Sequence, residues 1–241
     1  MNLLAQALDE RKRSGSPVRI FFRDDDADRD IPELRRLLSI FCSRTAPLNL
    51  QVIPATLTAA ATDLLAGCPR FIEINQHGWT HCNHEASGKK CEFGPSRTRL
   101  QQLHDIRRGK AALDSAFPGR WHPVFTPPWN RFTADTMSAV SELGFRVFSA
   151  NGDNVRCAPP LVSIPIAIDV FQWKPCRVAK PLEELRAELA RWIRRGGPTG
   201  ILLHHKAMDV TAFATLETLL DELLRHPDAV TLHTFESLCP A

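Results

Sequence analysis

The segment VRIFFRDDDADRDIPELRRLLSIFCSRTAPLNLQVI, residues 18–53, contains the pattern that decides the fold. It begins with an apolar run at 18–22 and ends with another at 48–53, and both runs have the composition of short β-strands. Between them lies a helical pattern at 32–44, whose apolar positions share one face: Leu34, Leu37, Leu38 and Phe41. The segment therefore predicts a strand, a core-facing helix and a second strand.

The same alternation continues along the chain. Further strands are predicted at 70–74, 123–126, 145–150, 162–170, 199–205 and 229–234, and further helices at 98–117 and 211–225. Eight strands with intervening helices predict an α/β domain with a mostly parallel sheet, either open or closed into a barrel. Because no linker-like break or internal repeat interrupts the 241 residues, we expect a single domain over 1–241.

Composition excludes several classes of protein. The apolar fraction is 44%, and the formal net charge of +3 is too small to indicate a nucleic-acid or membrane surface. No apolar run is long enough for a spanning helix or a signal sequence, so we expect a cytoplasmic protein. Seven cysteines without a CxxC pair agree with a reducing compartment.

Three consecutive aspartates, Asp24, Asp25 and Asp26, follow the first predicted strand. Like charges at this spacing repel unless a cation or a proton intervenes, so they indicate a metal site or a perturbed carboxylate. Asp28 and Asp30 are instead interpreted as turn residues that cap the helix at 32–44, because acidic side chains favour a helix start.

His77 and His81 follow the strand at 70–74 and are four residues apart, a spacing that lets one helical turn present two imidazoles to one ion. With one aspartate they would make three ligands and leave a coordination position open, as in catalytic metal sites.

A structural alternative uses the same segment. His77, His81 and His84 with Cys82 or Cys91 would close a four-ligand zinc site. Their spacing matches none of the usual Cys-pair patterns, and Cys82 directly adjoins His81, so we favour the open site.

Two later segments complete the candidate site. Pro127 and Pro128 stiffen the chain after the strand at 123–126, and Trp129 offers a flat apolar face that suits a pocket wall. The strand at 199–205 ends in His204 and His205, of which alternation should bring one into the site as a proton donor. The chain has no GxGxxG, GxxxxGK[ST] or GxSxG motif, so dinucleotide binding, P-loop phosphate binding and a serine-hydrolase nucleophile have no support.

Taken in order, FRDDDAD at 22–28, HGWTH at 77–81, TPPWN at 126–130 and LLHH at 202–205 resemble the polysaccharide deacetylase family, the NodB-homology carbohydrate esterases. The resemblance is strongest to a divergent bacterial branch and covers most of the chain. It implies a distorted (β/α)7-type barrel. It also implies a divalent ion held by one aspartate and two histidines, with zinc expected first and cobalt, nickel or manganese as alternatives.

The resemblance also assigns roles. Asp25 matches the general base and Asp26 the metal ligand, although Asp24 and Asp25 would also make an adjacent pair. His77 and His81 match the other two ligands. His204 matches the proton donor to the leaving amine, with His205 as the alternative. The expected substrate pocket comprises Asp24, Trp79, Pro128, Trp129, Asn130 and Arg131.

This chain departs from the family in two motifs. Thr126 stands where the family has an arginine before the prolines, and Arg131 or Arg23 would have to replace it. The family's fourth-motif aspartate and tryptophan have no clean match, although Asp153, or Asp169 with Trp173, are candidates.

The expected function is hydrolytic removal of an acetyl group from an N-acetylated sugar or related carbohydrate. The expected partner is then a small soluble sugar, a nucleotide sugar or a lipid-linked precursor. Neither a nucleic acid nor a membrane is expected as a partner. Two alternatives stay open: hydrolysis of another non-peptide C–N bond on the same fold, and a catalytically inactive ligand-binding relative. The sequence does not indicate an oligomeric state.

Overall fold

The computed structural model describes residues 3–152 and 157–239. Its helices are α1 (Leu3–Ser14), α2 (Pro32–Ser43), α3 (Ala59–Ala66), α4 (Arg99–Ala116), α5 (Ala134–Glu142), α6 (Leu182–Arg195), α7 (Val210–Leu224) and α8 (Phe235–Leu238). Its strands are β1 (Val18–Ala27), β2 (Leu48–Val52), β3 (Ile72–His77), β4 (Trp121–Thr126), β5 (Val147–Phe148), β6 (Val162–Ser163), β7 (Ile166–Asp169), β8 (Phe171–Gln172), β9 (Val178–Ala179), β10 (Thr199–Leu203) and β11 (Val230–Leu232). Single 3-10 turns lie at Pro54–Thr56, Pro128–Asn130 and His205–Ala207.

The main sheet is parallel and curls into a half-barrel with helices outside it, as the predicted barrel class requires. Its strand order is β6-β5-β4-β3-β2-β1-β10-β7, and β11 pairs with the start of β1. A bridge between Asn151 and Ile166 draws the two edges towards each other. The carboxyl ends of all these strands therefore face one rim, where catalytic loops gather in such folds.

The helix α2 shows how the sequence builds this architecture. It begins at Pro32, whose fixed φ suits the first helical position. Its predicted apolar positions are all buried: Leu34, Leu37, Leu38 and Phe41. These side chains belong to the largest apolar cluster, together with Phe22 from β1. The pattern at 32–44 is thus confirmed as a helix that packs against the sheet.

The inner face of the barrel is partly polar. Thr126 donates to Gln51 Oε1 (2.8 Å), Gln51 donates to Asn75 Oδ1 (3.0 Å), and Asn75 donates to Glu73 Oε1 (2.9 Å). All four side chains are buried. Since an unpaired buried polar group costs about 1–3 kcal/mol, this chain of hydrogen bonds fixes the relative positions of β2, β3 and β4.

Several predicted boundaries are wrong, and at β1 the reason is that polar residues also line the strand. β1 continues through the aspartates to Ala27 instead of ending at 22. The strand predicted at 162–170 is divided into β6 and β7, and the one at 145–150 shortens to β5. The β8–β9 hairpin and the helices α1, α3, α5, α6 and α8 complete the elements that periodicity did not predict.

The capping role of Asp28 and Asp30 is also wrong. The N-cap of α2 is Ile31, which makes no side-chain cap. Asp28 is buried and accepts from Thr56 Oγ1 (2.8 Å) and from Lys206 Nζ (2.5 Å), while Asp30 pairs with Arg35. Asp28 thus joins β1 to the segment after β10 instead of starting a helix.

Within the described residues, no helix combines the length and the apolar composition that crossing a membrane requires. The single-domain organisation over 1–241 stays a prediction.

Candidate metal centre and active site

Three potential ligands meet at the carboxyl ends of β1 and β3. Asp26 Oδ1 lies 3.2 Å from His77 Nε2 and 3.1 Å from His81 Nε2. Ligands that share one tetrahedral ion at zinc-like bond lengths are separated by about 3.3 Å. Asp26 Oδ1 is buried and has no hydrogen bond of acceptable geometry, so it is available to a cation. The residues therefore fit a divalent metal ion, and among the described residues the group contains no fourth protein ligand.

The local backbone brings these three side chains together. Asp26 has a φ of 76°, and the pairing of β1 with β2 shifts register between Asp24 and Ala27. His77 is the last residue of β3, and its Nδ1 faces the carbonyl oxygen of Thr126 at 3.1 Å, which leaves Nε2 free for an ion. His81 lies in the following loop with a φ of 57°. The pair thus comes from a strand end and a loop, and the expectation of one helical turn is wrong.

A buried carboxylate that the sequence analysis missed shapes this loop. Glu92 accepts hydrogen bonds from the backbone N–H of Thr80 (2.7 Å), His81 (3.2 Å) and Trp79 (3.3 Å), and from the Thr80 hydroxyl (2.9 Å). Burial raises the pKa of Glu92, while its contacts with Thr80 oppose that rise. Glu92 follows His81 by 11 residues and belongs to no spacing pattern, so no sequence signal identified it.

Gly78 is required by the same packing. Its φ is +55°, and a Cβ added there would lie 2.3 Å from Glu92 Oε2 and 2.6 Å from Pro128 Cγ. Only glycine combines this backbone conformation with such a close approach. The HGWTH motif therefore encodes a tight turn around Glu92 in addition to two ligands.

The charges of the three groups are interdependent. Burial alone would raise the pKa of Asp26, but its contact with His77 and the charges of His77 and His81 hold that pKa well below its usual range. Burial and the neighbouring His77 lower the pKa of His81 to about 4. His81 is therefore neutral near pH 7, which is the form in which histidine binds metals.

Asp25 has a fully buried partner on its own strand. Arg23 donates from Nη2 to Asp25 Oδ2 (2.9 Å) and to Asn130 Oδ1 (2.8 Å), and from Nη1 to the carbonyl and hydroxyl oxygens of Ser149 (3.1 and 3.0 Å). Asp25 Oδ1 is buried without a hydrogen bond. Arg23 and Arg131 are the two expected replacements for the family's arginine, whose position Thr126 occupies. Thr126 donates to Gln51, and Arg131 donates to the Lys90 carbonyl oxygen. Arg23 is therefore the replacement that contacts Asp25.

The two late histidines have different surroundings. His205 is fully buried, where its Nδ1 lies 2.6 Å from Asp24 Oδ2 and its backbone N–H donates to Asp24 Oδ1 (2.9 Å). His204 lies beside Trp173 with ring centroids 4.8 Å apart, and its Nε2 is 3.6 Å from Asp169 Oδ2. Asp24 and His205 therefore form an internal pair, and Asp24 does not line a pocket as expected.

Asp169 and Trp173 are the fourth-motif candidates that the structure brings to the site. Trp173 Nε1 donates to Asp169 Oδ2 (2.8 Å), the same oxygen that faces His204. Burial alone would lower the pKa of His204, but Asp169 and the charges of Asp25 and Asp26 raise it above its ordinary value. The other candidate, Asp153, lies outside the described residues.

Of the remaining expected pocket residues, three contact residues of the candidate site and two make contacts elsewhere. Trp129 lies against His81 with ring centroids 4.3 Å apart, Asn130 holds Arg23, and Pro128 is buried beneath the 77–81 loop. Trp79 packs under the Arg108 guanidinium, 4.6 Å from its ring centroid. Arg131 binds the Lys90 backbone.

The four-ligand alternative gains no support from the described residues. His84 donates its backbone N–H to the Cys91 carbonyl, and Cys82 Sγ faces the Thr80 carbonyl at 3.8 Å. Neither cysteine nor His84 belongs to a group of converging ligand atoms found in the described part of the chain.

No protein-family model matches the chain, and no curated protein matches its sequence. Solved structures do resemble it. A polysaccharide deacetylase from Mycobacterium smegmatis has a TM-score of 0.73 at 17% identity, with 92% of this chain and 89% of that chain covered. A cobalt-bound family 4 acetyl xylan esterase from Clostridium thermocellum has a TM-score of 0.62 at 15% identity, with 91% and 89% covered.

A third neighbour is a family 4 pseudoenzyme from Bacillus anthracis, with a TM-score of 0.55 at 13% identity and with 88% of this chain and 63% of that chain covered. The neighbours thus include proteins named as enzymes and one named as a pseudoenzyme. At these identities the likeness concerns three-dimensional structure. The chain has the fold of the polysaccharide deacetylases and family 4 carbohydrate esterases.

Proposed function

We propose that this protein is a metal-dependent deacetylase that removes the acetyl group from an N-acetylated sugar or related carbohydrate. The observation that carries the proposal is the convergence of Asp26, His77 and His81 on one point at the rim of the barrel. Asp25 directly precedes this ligand, and His204 is close enough for the charges of Asp25 and Asp26 to raise its pKa. A metal site, a base and an acid therefore lie together.

The residues divide the reaction between them. A divalent ion held by Asp26, His77 and His81 would supply Lewis acidity toward the acetamide carbonyl and toward water, with zinc as the first candidate and cobalt, nickel or manganese as alternatives. Asp25 takes a proton from the attacking water at Oδ1, the oxygen that Arg23 leaves free. Arg23 holds the other oxygen and so fixes the direction of the free one.

His204 serves the departing amine. Asp169 orients its ring and favours its protonated form, so His204 can donate a proton as the C–N bond breaks. Trp129 and the partly exposed Trp173 offer aromatic faces on which a sugar ring can pack. A soluble or lipid-linked acetylated sugar in the cytoplasm is the substrate that we propose to test first.

Acetate release is the direct test of this function. Purified protein loaded with zinc or cobalt should release acetate from at least one member of a panel of N-acetylated sugars, oligosaccharides and nucleotide sugars. A chelator should abolish the release, and added metal should restore it, because the proposed reaction depends on the ion as its Lewis acid. Thermal melting with and without chelator should show that the protein stays folded when the metal is removed.

The other outcomes of this test are informative. Release of ammonia or ring-opened products without acetate would assign the site to another non-peptide C–N bond. Metal binding without turnover on the whole panel would place the protein with inactive relatives, like the pseudoenzyme among its structural neighbours.

The role of His204 predicts a specific pH dependence. The acid must be protonated, and Asp169 helps to raise its pKa above the ordinary value of 6.5, so activity should fall on the basic side only above that value. In Asp169→Asn the basic limb of kcat/KM should move to lower pH, because a favourable charge is lost. His204→Ala should lower kcat by about 10²–10⁴-fold.

His104→Ala is the matched control, because the His104 side chain is exposed and its ring pairs with its sequence neighbour Asp105. His205→Ala should instead lower the melting temperature, since it leaves Asp24 buried without its partner. Equal loss of activity in His204→Ala and His104→Ala, or an unmoved basic limb in Asp169→Asn, would refute the assignment.

A further inference from the structure

A second group of ligand atoms lies at the opposite end of the barrel. Glu73 near the start of β3, His122 near the start of β4 and Glu236 in α8 each bring one ligand atom within 4.8 Å of the others. His122 Nε2 is 3.0 Å from Glu236 Oε2. Glu73 precedes His77 by four residues on β3, which corresponds to about 13 Å along a strand. The group is therefore separate from the candidate active site.

Burial raises the pKa of Glu73, and hydrogen bonds to both of its carboxylate oxygens oppose that rise. Asn75 Nδ2 donates to Oε1 and the backbone N–H of Glu236 donates to Oε2, both at 2.9 Å, so two donors converge on a side chain that is 1% exposed. The hydrogen bonds that lead to Asn75 run in the same direction: Thr126 donates to Gln51, and Gln51 donates to Asn75. A buried negative charge is costly unless a cation or an ionic partner accompanies it.

The surroundings have room for such a cation. A cavity of about 20 Å³, enough for one water molecule or ion, lies beside two of the three residues, His122 and Glu236, and Glu73 does not line it. His122 is partly exposed and Glu236 more so, which leaves an entry path from solvent.

We propose that Glu73, His122 and Glu236 form a second divalent metal site that fastens α8 to the amino-terminal end of the barrel. One imidazole and two carboxylates are ligands that zinc, cobalt and manganese accept. The ion would bridge β3, β4 and α8, three segments far apart in sequence. This site has no part in the proposed deacetylation, so it stands or fails independently of it.

Zinc stoichiometry tests the proposal directly. Equilibrium dialysis against zinc alone, followed by elemental analysis, should give two equivalents in the wild-type chain and one in His122→Ala. In the His77→Ala, His81→Ala protein one equivalent should remain, and adding His122→Ala should remove it. Adding His104→Ala instead should leave it bound, because that histidine lies outside both groups.

Two further measurements guard against simple misfolding. Glu236→Gln changes a largely exposed side chain, so the fold should persist while the zinc affinity of the second site falls at least tenfold. Zinc should raise the melting temperature of the His77→Ala, His81→Ala protein, and His122→Ala should abolish this shift.

The proposal is overturned if the wild type binds one equivalent that is lost in His77→Ala, His81→Ala and kept in His122→Ala. It is also overturned if Glu236→Gln binds zinc as tightly as the wild type. If the wild type binds one zinc equivalent and only His122→Ala loses it, the second site is supported and the proposed active site is contradicted. The two failures are therefore distinguishable.

Discussion

Replacing Asp25 with asparagine should lower kcat/KM for acetate release by about 10²–10⁴-fold while zinc content stays nearly unchanged, and it should also lower the melting temperature, because the buried Arg23 loses its ionic partner. Asparagine has almost the same shape, and its amide oxygen can still accept from Arg23 where Asp25 Oδ2 does. Its amide nitrogen would then occupy the position of Oδ1 and could not accept a proton from water. The variant thus removes the base with little change to the packing around it.

Asp24→Asn is the decisive comparison, because the sequence leaves open which of the adjacent aspartates is the base. Asp24 receives two hydrogen bonds from His205 inside the protein, so its replacement should reduce stability more than turnover. Asp30→Asn, at an exposed ion pair with Arg35, controls for the loss of a nearby carboxylate. If Asp24→Asn eliminated turnover and Asp25→Asn did not, the roles of the two residues would have to be exchanged.

The roles of the three aspartates depend on backbone geometry that the sequence does not reveal. In a regular strand Arg23 and Asp25 lie on one face and Asp24 on the other, and the structure follows that rule. At Asp26 the left-handed φ and the register shift against β2 break the alternation and direct its carboxylate to the two histidines. Bulges have no dependable sequence pattern, so an adjacent pair could be predicted but not its register.

The histidines show how far spacing can be trusted. Four residues between His77 and His81 predicted correctly that the two imidazoles meet, because a strand end followed by a tight loop also brings them together. The same spacing predicted the wrong backbone, since the turn is built on Gly78 and Glu92. A carboxylate that acts through backbone N–H groups far along the chain has no motif, and only the tertiary structure reveals it.

Substitution of Arg23 should have the largest effect on stability. Arg23→Met removes a fully buried guanidinium that serves Asp25, Asn130 and Ser149, and it leaves Asp25 as an uncompensated buried charge. Breaking a buried pair in this way costs about 3–5 kcal/mol, so the urea midpoint should fall strongly. Arg23→Lys should retain only part of the stability that Arg23→Met loses, because one ammonium group cannot form all the contacts of the guanidinium.

A positioning role requires more than lost stability. At a temperature where Arg23→Lys is folded, kcat should fall while KM changes little, since Asp25 loses its fixed direction and the ligands Asp26, His77 and His81 remain. Arg19→Met is the matched control, because Arg19 lies on β1 with its side chain exposed and should change neither quantity. Full activity in folded Arg23→Lys would show that Asp25 does not need the guanidinium group to orient it. Arg23 would then be only a structural residue of the barrel interior.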